Sequence, residues 1–158
     1  MVNRLAVAVD GSPASWAAVQ YAVDAVDQGG LLLLIDVQDV KTFYNDCTSE
    51  AVAGDLSCDV RYFMKAWDKA AEHAQQEAMQ IASMQGVEVE WRIVKLPPNH
   101  GRSPQAFYEA AIREHVDLLV TGKHHGLQLL EGLFGSFPRW LLLHSQTPVA
   151  VVPPSAVH

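Results

Sequence analysis

The chain has 158 residues, 49% of them hydrophobic and 18% charged, with a formal net charge of −7. That is the size and balance of one ordinary globular domain with room for a real core, expected to span 1–158. The negative charge argues against a nucleic-acid binder, whose affinity comes largely from neutralising phosphates, but leaves a local nucleotide site open.

Residues 5–9 are short, apolar and without helical spacing, which predicts a strand buried on both faces, as in a parallel sheet. This run stops at Asp10, too soon for a signal-peptide core or a membrane span. No other apolar stretch is long enough to cross a bilayer, so a cytoplasmic protein without membrane contact is expected. Asp10-Gly11-Ser12-Pro13 then breaks the strand. Ser12 suits a helix N-cap and Pro13 the first helical position. Trp16, Val19, Val23 and Val26 follow at helical spacing until Gly29-Gly30. Residues 31–35 predict a second buried strand, ending at Asp36-Val37.

Residues 38–59 show no clear period and predict a long loop or short lid. Cys47 and Cys58 fall there; two cysteines are too few for a disulfide framework and fit a reducing compartment. From Val60 a helical period runs through Phe63, Met64, Trp67, Ala71, Ala74, Ala78, Ile81 and Ala82 to Gly86. Val87, Val89, Trp91 and Ile93 then alternate with Glu88, Glu90 and Arg92, which predicts a half-exposed strand at a sheet edge. Residues 96–103 form a turn-rich link. Ser103-Pro104 repeats the cap-and-proline start of a helix reaching about His115. A strand over 117–121, a glycine-bearing loop, a helix over about 136–145 and a strand within 148–153 complete the chain. Five strands alternating with four helices mean crossover units and a parallel sheet covered on both faces.

Two segments carry candidate chemistry. Asp10-Gly11-Ser12 ends the first strand, where open α/β sheets bind ligands. Asp10 there can accept hydrogen bonds from ribose hydroxyls, or the triplet simply makes the turn and cap. The second segment is the loop from Gly122 to Ser136. Small residues between a strand and a helix N-terminus let backbone N–H groups approach an anion. It is neither a Walker A loop nor a dinucleotide fingerprint. Lys123 either meets a phosphate or is solvated. His124 and His125 are adjacent, so their side chains diverge, and no metal-ligand spacing is evident. No nucleophile elbow or catalytic constellation stands out, so at most slow nucleotide hydrolysis is expected.

The opening 7–12 with Asp10-Gly11-Ser12, the strand leading to Gly122, the Gly135-Ser136 step and the closing 147–152 resemble the universal stress protein family in order and spacing. The resemblance covers essentially the whole chain. It implies a Rossmann-like open parallel sheet of five strands in order 3-2-1-4-5, with helices on both faces. It also implies an adenine-nucleotide site for ATP or a related nucleotide, Mg arriving only with the nucleotide. The site would draw on Asp10, Gly11 and Ser12, on the backbone of Val37 for the adenine edge, and on Gly122, Lys123, His125, Gly126, Gly135, Ser136 and Phe137 around the phosphates. Nucleotide-binding members carry Gly-x2-Gly-x9-Gly-Ser/Thr after the fourth strand. Gly122, Gly135 and Ser136 match that pattern, whereas His125 stands at the second glycine and Gly126 falls one residue late. His125 either blocks the phosphates, contacts them as a cation, or points to solvent while the loop bends at Gly126. Ala8 replaces the usual proline before the aspartate. The resemblance further implies a stress-response regulatory module that homodimerises through 148–153, with unknown protein partners. The alternative is a nucleotide-free interaction module acting through its dimer surface or residues 38–59.

Overall fold

A computed structural model describes residues 1–10, 13–39, 60–97, 101–123 and 135–154. In chain order these form β1 (Arg4–Ala8), α1 (Pro13–Ala25), β2 (Leu31–Asp39), α2 (Val60–Ser83), β3 (Glu88–Leu96), α3 (Ser103–Arg113), β4 (Leu118–Gly122), α4 (Ser136–His144) and β5 (Val149–Val152). The five strands make one parallel sheet in the order β3-β2-β1-β4-β5. This is the expected Rossmann-like architecture, with β3 at an edge as its alternating pattern predicts.

The central strands are apolar over residues 5–8, 31–35 and 118–120, where both of their faces are covered. Leu5, Val7, Leu32 and Leu34 face one core, which α1 fills with Ala18, Val19, Ala22 and Val23 and α2 with Ala78 and Ala82. Ala6, Ala8, Leu33 and Ile35 face the other, with Phe107 and Ala111 of α3 and Phe137 and Leu141 of α4. The Phe107 and Phe137 rings meet at 5.7 Å between centroids and lock α3 to α4.

The ends of the strands are pinned by polar contacts. Asp117 precedes β4 rather than opening it; its carboxylate accepts the N–H groups of Asn3 and Arg4, both at 3.0 Å. Glu114 holds two guanidinium groups, Arg4 at the start of β1 at 3.4 Å and Arg92 in the middle of β3 at 2.6 Å. Beyond α3 the chain turns at His115, whose φ of 53° is left-handed.

Four boundaries differ from the sequence reading. β2 runs on to Asp39 and β3 to Leu96, paired residue for residue. Backbone pairing carries β2 through Gln38 and Asp39, polar side chains that read as loop. Ser103 is not the N-cap of α3: Arg102 holds that place, and the Ser103 hydroxyl donates to Asp39 at 3.3 Å. The final strand is confined to Val149–Val152, with the flanking prolines outside it. Residues 40–59, including Cys47 and Cys58, lie outside the described residues, as do Gly11 and Ser12. No described helix is long and apolar enough to cross a membrane.

Candidate functional site

The chain leaves β1 for α1 on one face of the sheet and leaves β4 for α4 on the other. β1 and β4 are hydrogen-bonded neighbours. Two adjacent parallel strands whose following helices diverge to opposite faces open a crevice beyond their C-terminal ends, the usual ligand position in this architecture.

Asp10 follows β1 after Val9 and is exposed at this crevice. β2 rises beside it. The last bond between the two strands runs from the Val9 N–H to the Ile35 carbonyl at 2.9 Å. Odd residues of β2 direct their backbone groups towards β1, as Leu31 does in donating to the Asn3 carbonyl. By the same alternation Val37 turns its N–H and C=O towards the side where β1 has already ended. Its backbone is therefore placed to meet the edge of a planar base.

On the other wall, β4 closes with Gly122, whose missing side chain has a packing reason. A Cβ there would lie 2.8 Å from the carbonyl carbon, the Cβ and the oxygen of Ala14. The first turn of α1 thus rests directly on the end of β4. This contact brings the positive end of a helix to the crevice.

Lys123 donates its N–H to the Val152 carbonyl at 2.7 Å, and its own carbonyl accepts the Gly135 N–H at 3.2 Å. Lys123 and Gly135, which flank residues 124–134, are thus joined by a main-chain hydrogen bond. Residues 124–134 include His125 and Gly126, which lie outside the described residues.

Gly135 is the N-cap of α4, with φ −61° and ψ 165°, and no side chain caps the helix. Ser136 is exposed at its first position. The Ser136 backbone N–H and hydroxyl stand at the positive end of this helix, the kind of position that holds an anion at many phosphate sites. Phe137 departs from the expectation for the site: its side chain is 4% exposed and belongs to the core beside Phe107.

One residue at this end was not singled out from the sequence. Asp36 stands just past the last β1–β2 bond. Burial, and secondly the charge of Asp10, push its carboxyl up from 3.8 to about 6. A carboxylate closing an otherwise apolar run was the visible signal. Its environment was not, because it is made by β1. Among the described residues, no group of three or more His, Cys, Asp and Glu is arranged to hold a metal ion. An open depression lined by Val23, Val26, Gln85 and Val87 lies at the far end of α1, away from the strand C-termini.

Comparison with known proteins agrees with this architecture. The sequence model of the universal stress protein family matches residues 1–153, and the chain belongs to that family. No curated protein sequence matches the chain. Among solved structures it is similar to the hypothetical protein MJ0577, at 18% identity and TM-score 0.77 over 98% of each chain. A universal stress protein in complex with cAMP is 23% identical, with TM-score 0.64 over 98% of each chain. A family protein from Arabidopsis thaliana with AMP bound is 16% identical, with TM-score 0.60 over 98% of this chain and 93% of that one.

Proposed function

We propose that this universal stress protein binds an adenine nucleotide in the crevice between β1 and β4 and serves as a stress-response regulatory module in the cytoplasm. The observation that carries the reading is the convergence at one place of Asp10, the Val37 backbone and the N-terminus of α4. Asp10 accepts the ribose hydroxyls, Val37 pairs with the adenine edge, and Gly135 and Ser136 take up phosphate. Lys123 supplies positive charge next to Gly135. The cAMP and AMP bound by two structural neighbours support the ligand class; ATP is the finer assignment. Mg would enter only with a triphosphate.

A homodimer through β5 belongs to the same reading. Among the described residues the strand is an unpaired sheet edge, a ready template for a second copy. Next to it on α4, Leu142 and Leu143 are 50% and 70% exposed. That exposed pair also favours a second reading, in which the protein works through this surface without a nucleotide. Mass spectrometry of small molecules released from the purified, untagged protein separates the two. An adenine nucleotide at near-stoichiometric yield, or ATP binding abolished by Gly135→Val, supports the first reading. Absence of any nucleotide together with no ATP binding supports the second.

A further inference from the structure

We propose that β3 is a self-pairing edge: it adds antiparallel to the β3 of a second copy of this chain, in the one register, centred on Trp91, that sets Glu90 opposite the partner's Arg92. The contact lies at the sheet edge away from β5 and does not depend on the nucleotide reading.

Among the described residues β3 is hydrogen-bonded on one side only, to β2. The Glu88 N–H donates to the Gly30 carbonyl at 3.2 Å. Even-numbered residues of β3 therefore direct their main-chain groups towards β2. By alternation Val89, Trp91, Ile93 and Lys95 direct theirs outward. β3 has nine residues against four in β5, so it is the longer template.

The side chains alternate as well. Val89 and Trp91 pack on the core under α1 and α2, and Ile93 continues that row with 44% of its surface exposed. Glu90 and Arg92 stand on the opposite face with Val94, where Glu114 holds Arg92 at 2.6 Å. Both side chains remain open to solvent, Arg92 39% and Glu90 43% exposed.

A two-fold axis normal to the sheet keeps each face of β3 on the same side in both copies, so odd residues stand opposite odd and even opposite even. The outward groups of Val89, Trp91 and Ile93 then meet those of the partner as hydrogen-bonded pairs. The side chains choose among the registers this allows. Centring on Glu90 sets it against the partner's Glu90, and centring on Arg92 sets it against the partner's Arg92. Centring on Val89 sets Glu88 against the partner's Glu90. Centring on Ile93 or Val94 leaves Arg92 opposite an apolar residue. Centring on Trp91 sets Glu90 opposite the partner's Arg92 twice over, and Val89 opposite the partner's Ile93 twice over. The charged pairs are the non-hydrogen-bonded ones, whose Cα atoms approach to about 4.5 Å and whose side chains lie closest. Charges on an edge ordinarily guard it against pairing. Here they are self-complementary, and they exclude the neighbouring registers instead.

Exposed ion pairs are individually weak, so this contact fills at higher concentration than an ordinary dimer; with β5 also paired, the assembly then grows to four chains and more. Sedimentation equilibrium of the wild-type protein should show its mass rising at about 300 µM above the value held at tens of micromolar. Glu90→Arg and Arg92→Glu each set like charges opposite one another at both positions and should weaken this step about tenfold or more. Mixed in equal amounts, the two variants again set opposite charges together, and the mixture should regain the wild-type rise. β5 is unaltered throughout, so whatever it assembles is the common baseline. No rise in wild type, a full rise in either variant alone, or a mixture no heavier than its components overturns the proposal. Ile93→Pro is a second probe, because it removes one outward N–H at an edge where proline is tolerated. It should abolish the rise with the far-UV circular dichroism unchanged, and a rise that survives it also overturns the proposal.

Discussion

Gly122→Ala isolates the contact that seats α1 on β4. The added methyl would fall 2.8 Å from three atoms of Ala14, two of them backbone. To regain ordinary van der Waals separation, the first turn of α1 must retreat by roughly half an ångström. It is not free to do so, because Ala18, Val19, Ala22 and Val23 of the same helix are buried against the sheet. Overpacking of a closed core costs about 1–3 kcal/mol, and backbone neighbours put this case near the upper end. For a chain of this length that corresponds to a fall in Tm of roughly 5–10 °C. Gly86→Ala is the control. Its φ is +68° and a Cβ meets nothing within 4 Å, so only backbone strain is added, about 1 kcal/mol. Thermal and urea denaturation followed by far-UV circular dichroism compare the two. If Gly122→Ala is as stable as wild type, or costs no more than Gly86→Ala, the seating of α1 on β4 is wrong.

Asp36→Asn should stabilise the protein at neutral pH. The folded chain holds a proton on Asp36 up to about pH 6, whereas the ordinary value is 3.8. Stability from this group is therefore present at low pH, declines as pH rises between those values, and is lost above them. At pH 7.5 the substitution should gain about 1–3 kcal/mol, shrinking towards zero near pH 4; a gain of equal size at both pH values contradicts the account. Glu114→Gln removes the partner of Arg4 and Arg92 on a partly exposed edge. It should cost about 1 kcal/mol or less at low salt and still less in molar salt, as seen by urea titration. Light scattering should give the mass of two chains at tens of micromolar, a concentration of the order at which ordinary associations are populated; a monomer there removes the β5 dimer.

Strands β1 and β2 were legible because burial on both faces leaves an unbroken apolar run, and β3 because one half-exposed face leaves an alternation. The extension of β2 through Asp36, Gln38 and Asp39 was not. Its side chains resemble those of a loop, and its strand character comes from main-chain pairing with Ile93 to Leu96. Ser103 read as a cap by residue type, but its hydroxyl answers to Asp39, a partner supplied by the fold. The candidate site divides in the same way. Asp10, Gly122 and Gly135 were visible as residues, and the crevice follows from the strand order. The reason for Gly122 was hidden, since Ala14 is a neighbour only in three dimensions. Phe137 was counted with the phosphate residues for its place after Ser136, although helical spacing turns its ring into the core.

The central claim is that an adenine nucleotide occupies the crevice beyond β1 and β4. Backbone amide NMR of the labelled protein, titrated with ATP and with AMP, tests both the binding and its place. The account predicts saturable shifts concentrated at Asp10, Val37, Lys123 and Ser136, with Glu88 and Asp117, where strands begin, unmoved. Shifts confined to α4 and β5, or no shifts at millimolar nucleotide, a concentration that would reveal even weak binding, would contradict it.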